Sequence, residues 1–338
     1  MIHFIINRIL WLIPVVITVA AVTFFLMYRA PGGPWDREKP LPQSTVEQLN
    51  RKFSLDKPRW LNTSGVEAQV DDGVRNPLTL GQTLVDTQFF HYLTNVFQGD
   101  LGPTYASRGS ESVQSLIAKK FPVSLKLGVV AVLFAIVIGI PLGVMAALRQ
   151  NSTVDYACMF ASTLGVAVPT FVSGLILLIF MSRLLHISPI RPPGDWQGLF
   201  STAYILPGIV LGLGTTAYVT RLTRASVLEI KGQDYIRTAR AKGLGSQTVT
   251  RRHILRNALL PVITILGPAA ADLITGSIII ETIFGAPGLG STFVTSIGKR
   301  DYSTLVGVTI FYALLIAVAN LLVDISYGIL DPRIRTSR

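Results

Sequence analysis

Few residues of this sequence have types and spacing that could support chemistry, and Asp272 is the first of them. It lies in an apolar stretch, 258–280, that carries no other charged residue. A lone carboxylate is costly in apolar surroundings, so it must face water or a polar partner. Such a group is typical of a solute pathway or a proton relay, and equally of a hydrogen bond to a neighbouring helix.

Motifs that bind nucleotides or metals are absent from the sequence. Gly298-Lys299 is followed by Arg300, and position 293 is Phe rather than Gly, so the phosphate-loop pattern G-x-x-x-x-G-K-[ST] is not formed. The four histidines are scattered, and a single cysteine excludes an intrachain disulfide or a cysteine metal cluster. We therefore expect no catalytic residue, no metal site and no cofactor on this chain.

The composition shows which elements must position these residues. Of 338 residues, 50% are hydrophobic and 14% are charged, whereas soluble proteins carry about 25% charged residues. This excludes a disordered chain, a coiled coil and an ordinary soluble enzyme. Crossing a bilayer takes about 20 apolar residues, and six stretches satisfy this: 9–28, 127–148, 157–182, 196–220, 258–280 and 302–323.

The sequence thus predicts an all-α membrane protein with six transmembrane helices. Short cytoplasmic loops carry an excess of Lys and Arg, and loop 221–257 has nine such residues against two acids. The tail adds three arginines, while the opposite short loops hold four basic residues. Both termini and loop 221–257 are therefore expected in the cytoplasm.

These expectations divide the chain into four parts. They are a cytoplasmic N-terminus with the first helix (1–28), an extracytoplasmic insertion (29–121), a membrane core with five helices (122–328) and a cytoplasmic tail (329–338). In the insertion, Ser44-Thr45-Val46-Glu47 is typical of a capping box that opens a short helix ending near Phe53. Two G-x-x-x-G patterns, Gly139–Gly143 and Gly208–Gly212, predict close helix packing.

The basic loop 221–257 contains the strongest local pattern. Its centre, 233–245, is typical of an amphipathic helix stopped by glycine. Its small residues would let the helix enter a groove on a partner: Ala239, Ala241 and Gly243. The alternative is a solvated loop lying on anionic lipid. Nucleic-acid binding is disfavoured, because Tyr235 is the loop's one aromatic residue and offers no stacking platform.

Segments 234–244 and 252–261, the second of which runs past the end of this loop, resemble the EAA-type coupling loop of a known family. The family comprises inner-membrane permease subunits of binding-protein-dependent ABC importers, here of the dipeptide/oligopeptide group. The general pattern has Glu-Ala-Ala, three residues and Gly, whereas this chain has Arg237-Thr238-Ala239 and then Gly243. The acid is absent, as in the peptide-group variant. Further segments resemble the family in the same order along the chain: 30–34, 99–102, 281–290 and 331–335.

The resemblance implies a type I ABC-importer-like permease that forms half of a translocation path. It implies a second homologous permease, two cytoplasmic ATPase subunits that hold ATP and Mg, and an extracytoplasmic substrate-binding protein. The chain itself would have no ATPase site and would lie in the bacterial cytoplasmic (inner) membrane, in contact with lipid. The residues expected to contact an ATPase are Tyr235, Arg237, Thr238, Ala239, Arg240, Ala241, Lys242 and Gly243.

The outer loop 281–290 and the insertion 29–120 are the expected gate and docking surface, and Pro287-Gly288 favours a tight turn in the loop. The residues assigned to it are Glu281, Phe284, Pro287 and Gly288. A plain hairpin between two spans is the alternative. Asp272 is the candidate residue of the pathway.

The implied substrate is a di- or oligopeptide. The same family branch also serves nickel, glutathione and some oligosaccharides, so these remain alternatives. From a different class, a stand-alone ion-coupled carrier would act without partners and depend on Asp272. A membrane enzyme would need a nucleophile or metal constellation that the sequence does not contain.

Overall fold

The computed structural model describes residues 2–29, 32–35, 42–184, 186, 190–196, 198 and 201–330. Within them, one isolated β-bridge, between Pro103 and Ser112, is the only strand pairing. The α-helices of this part of the chain are α1 Ile2–Arg29, α2 Gln43–Lys52, α3 Thr63–Asp71, α4 Pro77–Leu84, α5 Gln88–Phe97, α6 Val113–Phe134, α7 Ile140–Leu148, α8 Thr153–Ala167, α9 Thr170–Leu184, α10 Ile205–Lys231, α11 Asp234–Ala241, α12 Ser246–Thr248, α13 Leu255–Ile274, α14 Ile278–Phe284, α15 Leu289–Gly298 and α16 Tyr302–Leu330.

The chain forms two compact units, and the first comprises residues 1–119 and 292–314. Its core uses one face of α1, where Val16, Ala20 and Phe24 recur every four residues and are buried. The Phe24 ring lies 5.0 Å from that of Trp60 and 5.5 Å from that of Phe89. An aromatic cluster therefore joins α1 to α5 and to the segment that precedes α3.

A buried carboxylate fixes the start of α16 in the same unit. Asp301 is 2% exposed and accepts hydrogen bonds from the backbone N–H groups of Tyr105 and Ala106, each at 3.0 Å. It also accepts from the N–H of Thr304 at 3.2 Å, which caps the helix. One side chain thus joins α16 to a turn almost 200 residues earlier.

The short helix predicted in the insertion is present as α2, but its predicted capping box is wrong. The N-cap is Pro42, and no side chain caps the helix, because Ser44 already lies in the first turn. Asparagine caps two later helices instead: Asn62 accepts from Gly65 N–H at 3.0 Å and Asn76 from Leu78 N–H at 3.1 Å. The resemblance motifs at 30–31 and 331–335, and the tail arginines, lie outside the described residues.

The second unit comprises residues 120–291 and 315–338, and glycines allow α10 to approach α6 and α7 closely. A β-carbon at Gly212 would lie 2.7 Å from the carbonyl oxygen of Ala131, and one at Gly143 would lie 2.5 Å from that of Thr220. Both G-x-x-x-G patterns therefore take part in close helix packing, as predicted.

Prolines shape two of the predicted spans in different ways. Pro169 follows Val168 in an extended conformation, and α8 and α9 meet there at 106°, so the predicted span 157–182 is a bent helix pair. Pro141 lies inside a continuous 36-residue helix, 113–148. Five residues shortly before it, Ala135–Gly139, are π-helical, and the wider turn accommodates the proline ring.

Five helices in the described residues are long and apolar enough to cross a membrane, or up to seven if each of two bent pairs counts as a span. The six predicted spans fall within that range. The predicted span 258–280 is wrong at its end, because α13 stops at Ile274 and Gly276 adopts a left-handed φ of +84°. Asp272 therefore lies in the last turn of α13 rather than near the middle of a span.

Candidate functional site

The predicted helix of the basic loop is present as α11, and apolar contacts hold it on the second unit. Ile236 and Ala239 lie three residues apart on one helix face and are 0% and 8% exposed. They pack in a cluster with Val227 of α10, Ala147 of α7 and Ile254. The helix is therefore attached to the ends of α7 and α10 through its apolar face.

A glycine motif ends α11. Gly243 has a φ of +78°, and its N–H donates to Arg240 O at 2.9 Å while the Leu244 N–H donates to Ala239 O at 3.3 Å. These two bonds form a Schellman motif, which requires the left-handed residue. A β-carbon at Gly243 would meet no atom of the chain within 4 Å, so the space beside it is open.

Seven of the eight predicted contact residues lie on the exposed side of α11 and its C-terminal turn. Ala239 is the exception, because it belongs to the buried cluster. Tyr235 accepts a hydrogen bond from Asn257 Nδ2 at 2.9 Å, and Arg237 lies 3.7 Å from the Asp234 carboxylate. The outer face is thus basic and polar, and its exposed large apolar side chains are Tyr235 and, in the C-terminal turn, Leu244.

A buried ion pair near the same end of the unit was not predicted from the sequence. Arg224 of α10 donates through Nε and Nη2 to the two carboxylate oxygens of Asp155, at 2.6 and 2.7 Å. Asp155 is 2% exposed and also accepts from Asn151 N–H at 3.0 Å. This bidentate pair fixes α8 to α10. Asp155 lies three residues after Ser152, which is the spacing of an N-cap and an acid in the first helical turn. This spacing is the signal in the sequence that could have drawn attention to Asp155.

The loop 281–290 is built around the buried carboxylate of Glu281. That side chain is 0% exposed; Oε1 accepts from Ser124 Oγ at 2.7 Å, and Oε2 accepts from Ser291 N–H at 2.9 Å. Ser124 Oγ accepts in turn from Leu289 N–H at 2.8 Å. The carboxylate therefore satisfies donors at the N-terminus of α15, where the helix dipole also favours negative charge.

Glycines make room for this carboxylate. A β-carbon at Gly276 would lie 2.6 Å from Glu281 Oε1, and one at Gly290 would lie 3.0 Å from Oε2. A β-carbon at Gly288 would also collide with the carboxylate. Together with Gly285, left-handed at φ +65°, these residues set the 86° bend between α14 and α15.

The residues predicted as a gate and docking surface are mostly enclosed in this structure. Glu281, Phe284 and Gly288 are buried, and Pro287 is half-buried. Phe284 packs in an apolar cluster with Trp196 and Tyr204. Buried side chains offer no contact surface, so a docking role for these four residues requires the bend to open. The role in gating stays a prediction.

Asp272 is exposed on the unit's surface. Among the described residues its carboxylate makes no hydrogen bond or ion pair, and Thr275 Oγ1 donates to its backbone oxygen instead. The described part of the chain contains no group of three His, Cys, Asp or Glu side chains that could hold a metal ion. The assignment of Asp272 to a solute pathway stays a prediction.

The fold and the site together define a multi-pass helical membrane protein with an exposed basic helix anchored beside the ends of its spans. A family model described as "Binding-protein-dependent transport system inner membrane component" matches residues 139–336. This chain belongs to that family of membrane transport subunits.

Curated relatives extend the match along the whole chain. The Haemophilus influenzae "Oligopeptide transport system permease protein OppB" is 39% identical over 335 residues, covering 99% of this chain and 100% of that protein. The Escherichia coli K12 protein of the same name is 37% identical, with the same coverage. The Bacillus subtilis "Dipeptide transport system permease protein DppB" is 36% identical, covering 99% and 98%.

Proposed function

We propose that this chain is the permease subunit of an ATP-driven importer and forms half of the translocation path for di- and oligopeptides. The geometry of α11 carries the proposal: the helix is anchored by two buried side chains and presents its basic outer face and open C-terminal turn to a partner. The names of the relatives, which describe oligopeptide and dipeptide permeases, support the substrate class.

The proposed machine needs further subunits. A second homologous permease would complete the path, two cytoplasmic ATPases would hold ATP and Mg, and an extracytoplasmic binding protein would deliver the peptide. The excess of basic residues in loop 221–257 supports a cytoplasmic position for this loop and for both termini. Segment 29–121 would then lie outside, on the side of the binding protein.

Force would pass from the ATPases to the membrane through α11. Ile236 and Ala239 pack in one cluster with Val227 of α10 and Ala147 of α7, so a displacement of α11 would move the ends of both helices. Binding and hydrolysis of ATP would bias the bundle between inward-open and outward-open states, as a ligand biases any two-state element. The bend at Glu281 is the proposed outer gate.

The exposed carboxylate of Asp272 suits two roles in such a machine. It can face the water of the pathway, or it can meet the second permease. A stand-alone ion-coupled carrier would rely on this residue instead and would function without partners. Nickel, glutathione or an oligosaccharide would use the same machinery with a different binding protein.

Affinity purification from native membranes in gentle detergent, followed by mass spectrometry, tests the proposal. We expect a second permease and one or two ATPases to accompany the chain, and a co-purifying binding protein would identify the solute. A stable protein without partners that transports solute alone would overturn the importer assignment in favour of the carrier.

A variant pair tests the coupling role separately. Gly243→Val places a branched side chain at φ +78°, whereas Gly245→Val adds the same bulk at φ −60° in equally open space. We expect Gly243→Val to abolish peptide uptake while the chain still inserts into the membrane, and Gly245→Val to keep uptake. Gly243→Asn adds a side chain that tolerates the left-handed conformation. It therefore separates the effect of side-chain bulk from the effect of backbone strain. Normal uptake by Gly243→Val would refute the coupling role.

A further inference from the structure

A basic cavity of about 390 Å³ lies beside α11 in the second unit. Three cationic side chains from three different elements line it: Lys231 at the end of α10, Arg240 on α11 and Arg251 in the π-helical segment Val249–Ile254. The neutral residues that complete the wall include Ser246, Gln247 and Leu148. The family resemblance assigns only Arg240 a role.

The three cations lack counter-charges in the described part of the chain. No carboxylate lies within 4.0 Å of Lys231, Arg240 or Arg251 there, although ion pairs form elsewhere in the unit. Like charges around one cavity repel one another. An anion in the cavity would remove that repulsion, and the Ser246 hydroxyl and Gln247 amide could donate hydrogen bonds to its oxygens.

The cavity lies where three helices that are long and apolar enough to span a membrane end. Leu148 ends the span 113–148, Lys231 ends the span 202–231, and Ser246 begins the span 246–274. All three residues line the cavity. Leu148 is 43% exposed. The lining thus combines one apolar residue at the end of a span with cationic and polar residues on the loop side.

We propose that this cavity binds the phosphate of an anionic lipid headgroup. The cations and the hydrogen-bond donors match a phosphate, the apolar residue at the span end matches the adjoining acyl chain, and the position at the ends of three candidate spans suits a headgroup at the membrane surface. Free phosphate would also match the cations and the hydrogen-bond donors, but it has no acyl chain to contact the apolar residue and no need of a position near the membrane. The site lies next to α11, so a bound lipid would stabilise the position of α11 where the chain leads into it from α10.

Native mass spectrometry of the purified complex that contains this chain tests the site. The complex is equilibrated with mixed phosphatidylglycerol and phosphatidylcholine, and retained lipids are counted. The double variant Lys231→Gln/Arg251→Gln removes two cavity charges, whereas Arg252→Gln/Arg256→Gln removes two exposed charges of the same loop that do not line the cavity. The two double variants have the same net charge.

We expect one phosphatidylglycerol to be retained and the cavity variant to lose about 30-fold in affinity, from about 1 kcal/mol per basic residue. The control variant should lose no more than about threefold, because its charges attract lipid only diffusely. Equal losses in both variants would overturn the proposal. So would displacement of the lipid by inorganic phosphate alone, which would assign the cavity to free phosphate. Loss of the ATPases without loss of lipid from the cavity variant would assign it to an acidic partner residue.

Discussion

Two short helices of the second unit, α11 and α14, are held in opposite ways. α11 rests on two buried apolar side chains and keeps its charges on the exposed face. α14 buries its one charge, Glu281, and keeps it in place with hydroxyl and backbone donors. α11 therefore has an outer surface available to a partner, whereas the charged group of α14 is fully engaged within the chain.

The difference separates residues that act at a surface from residues that maintain a shape. Substitutions on the outer face of α11 remove contacts that the isolated chain does not make, so they should leave its stability almost unchanged. Substitution of Glu281 leaves buried donors without a partner, which is costly. Stability and transport measured side by side therefore distinguish the two helices.

The largest effect is expected for Glu281→Ala. The variant leaves the Ser124 hydroxyl and the Ser291 N–H unsatisfied in a buried site, with a cost of about 3 kcal/mol or more. Thermal unfolding in detergent should show a marked loss of stability, and Glu229→Ala, at an exposed glutamate of α10, should show almost none. If the two variants unfold at the same temperature, the buried carboxylate does not hold the bend.

A smaller effect is expected when the anchor of α11 is shortened. Ile236→Ala removes a fully buried side chain, at a cost of about 2–4 kcal/mol, whereas the exposed Arg237→Ala should change stability by less than about 0.5 kcal/mol. Hydrogen exchange should accelerate across 234–244 in the first variant only. Arg237→Ala should nevertheless reduce recovery of the ATPases. Unchanged exchange in Ile236→Ala would remove the contrast between the anchored face and the outer face.

The smallest effect is expected for an exposed ion pair in the first unit, which tests whether a surface charge contributes to the stability of the chain. Lys57 Nζ donates to Asp86 Oδ1 at 2.6 Å, and this bond, with help from His91, lowers the pKa of the Asp86 carboxyl. Its contribution is therefore present above the carboxyl's ordinary pKa, near about 4, and is lost as the pH falls through the lowered value. Solvent limits it to about 0.2–1 kcal/mol.

Melting curves at neutral pH and at successively lower pH measure this contribution. Asp86→Asn should melt slightly earlier than the wild type at neutral pH, and the difference should shrink as the pH falls below the ordinary pKa of the carboxyl. A difference that persists in acid would show that the asparagine disturbs packing rather than charge.

The sequence predicted the features that arise from local patterns. Apolar runs gave the spans, the glycine after Lys242 gave the end of α11, and the G-x-x-x-G patterns gave the close contacts of α10. Each depends on residues within one or two helical turns, where spacing determines which side chains share a face.

Features that depend on distant contacts were missed or placed wrongly. Glu281 follows three isoleucines, and its partner Ser124 lies 157 residues away, so the sequence pattern indicated an acid on an outer loop. Asp155 and Arg224 are 69 residues apart. The apolar run 157–182 predicted one span, whereas the size of the bend at Pro169 depends on packing that the local pattern does not contain.

The π-helical segment before Pro141 has a consequence for how this part of the chain can vary in length. A π-helical turn holds about one residue more than an α-helical turn, so this segment absorbs an extra residue within one turn. Shortening the chain by one residue between positions 135 and 139 would therefore restore a regular helix while Gly143 stays on the side that faces the carbonyl of Thr220. In a regular α-helix the same deletion would rotate the remainder by about 100°. This segment is thus the place where the helix can change its length by one residue without losing its contact with α10.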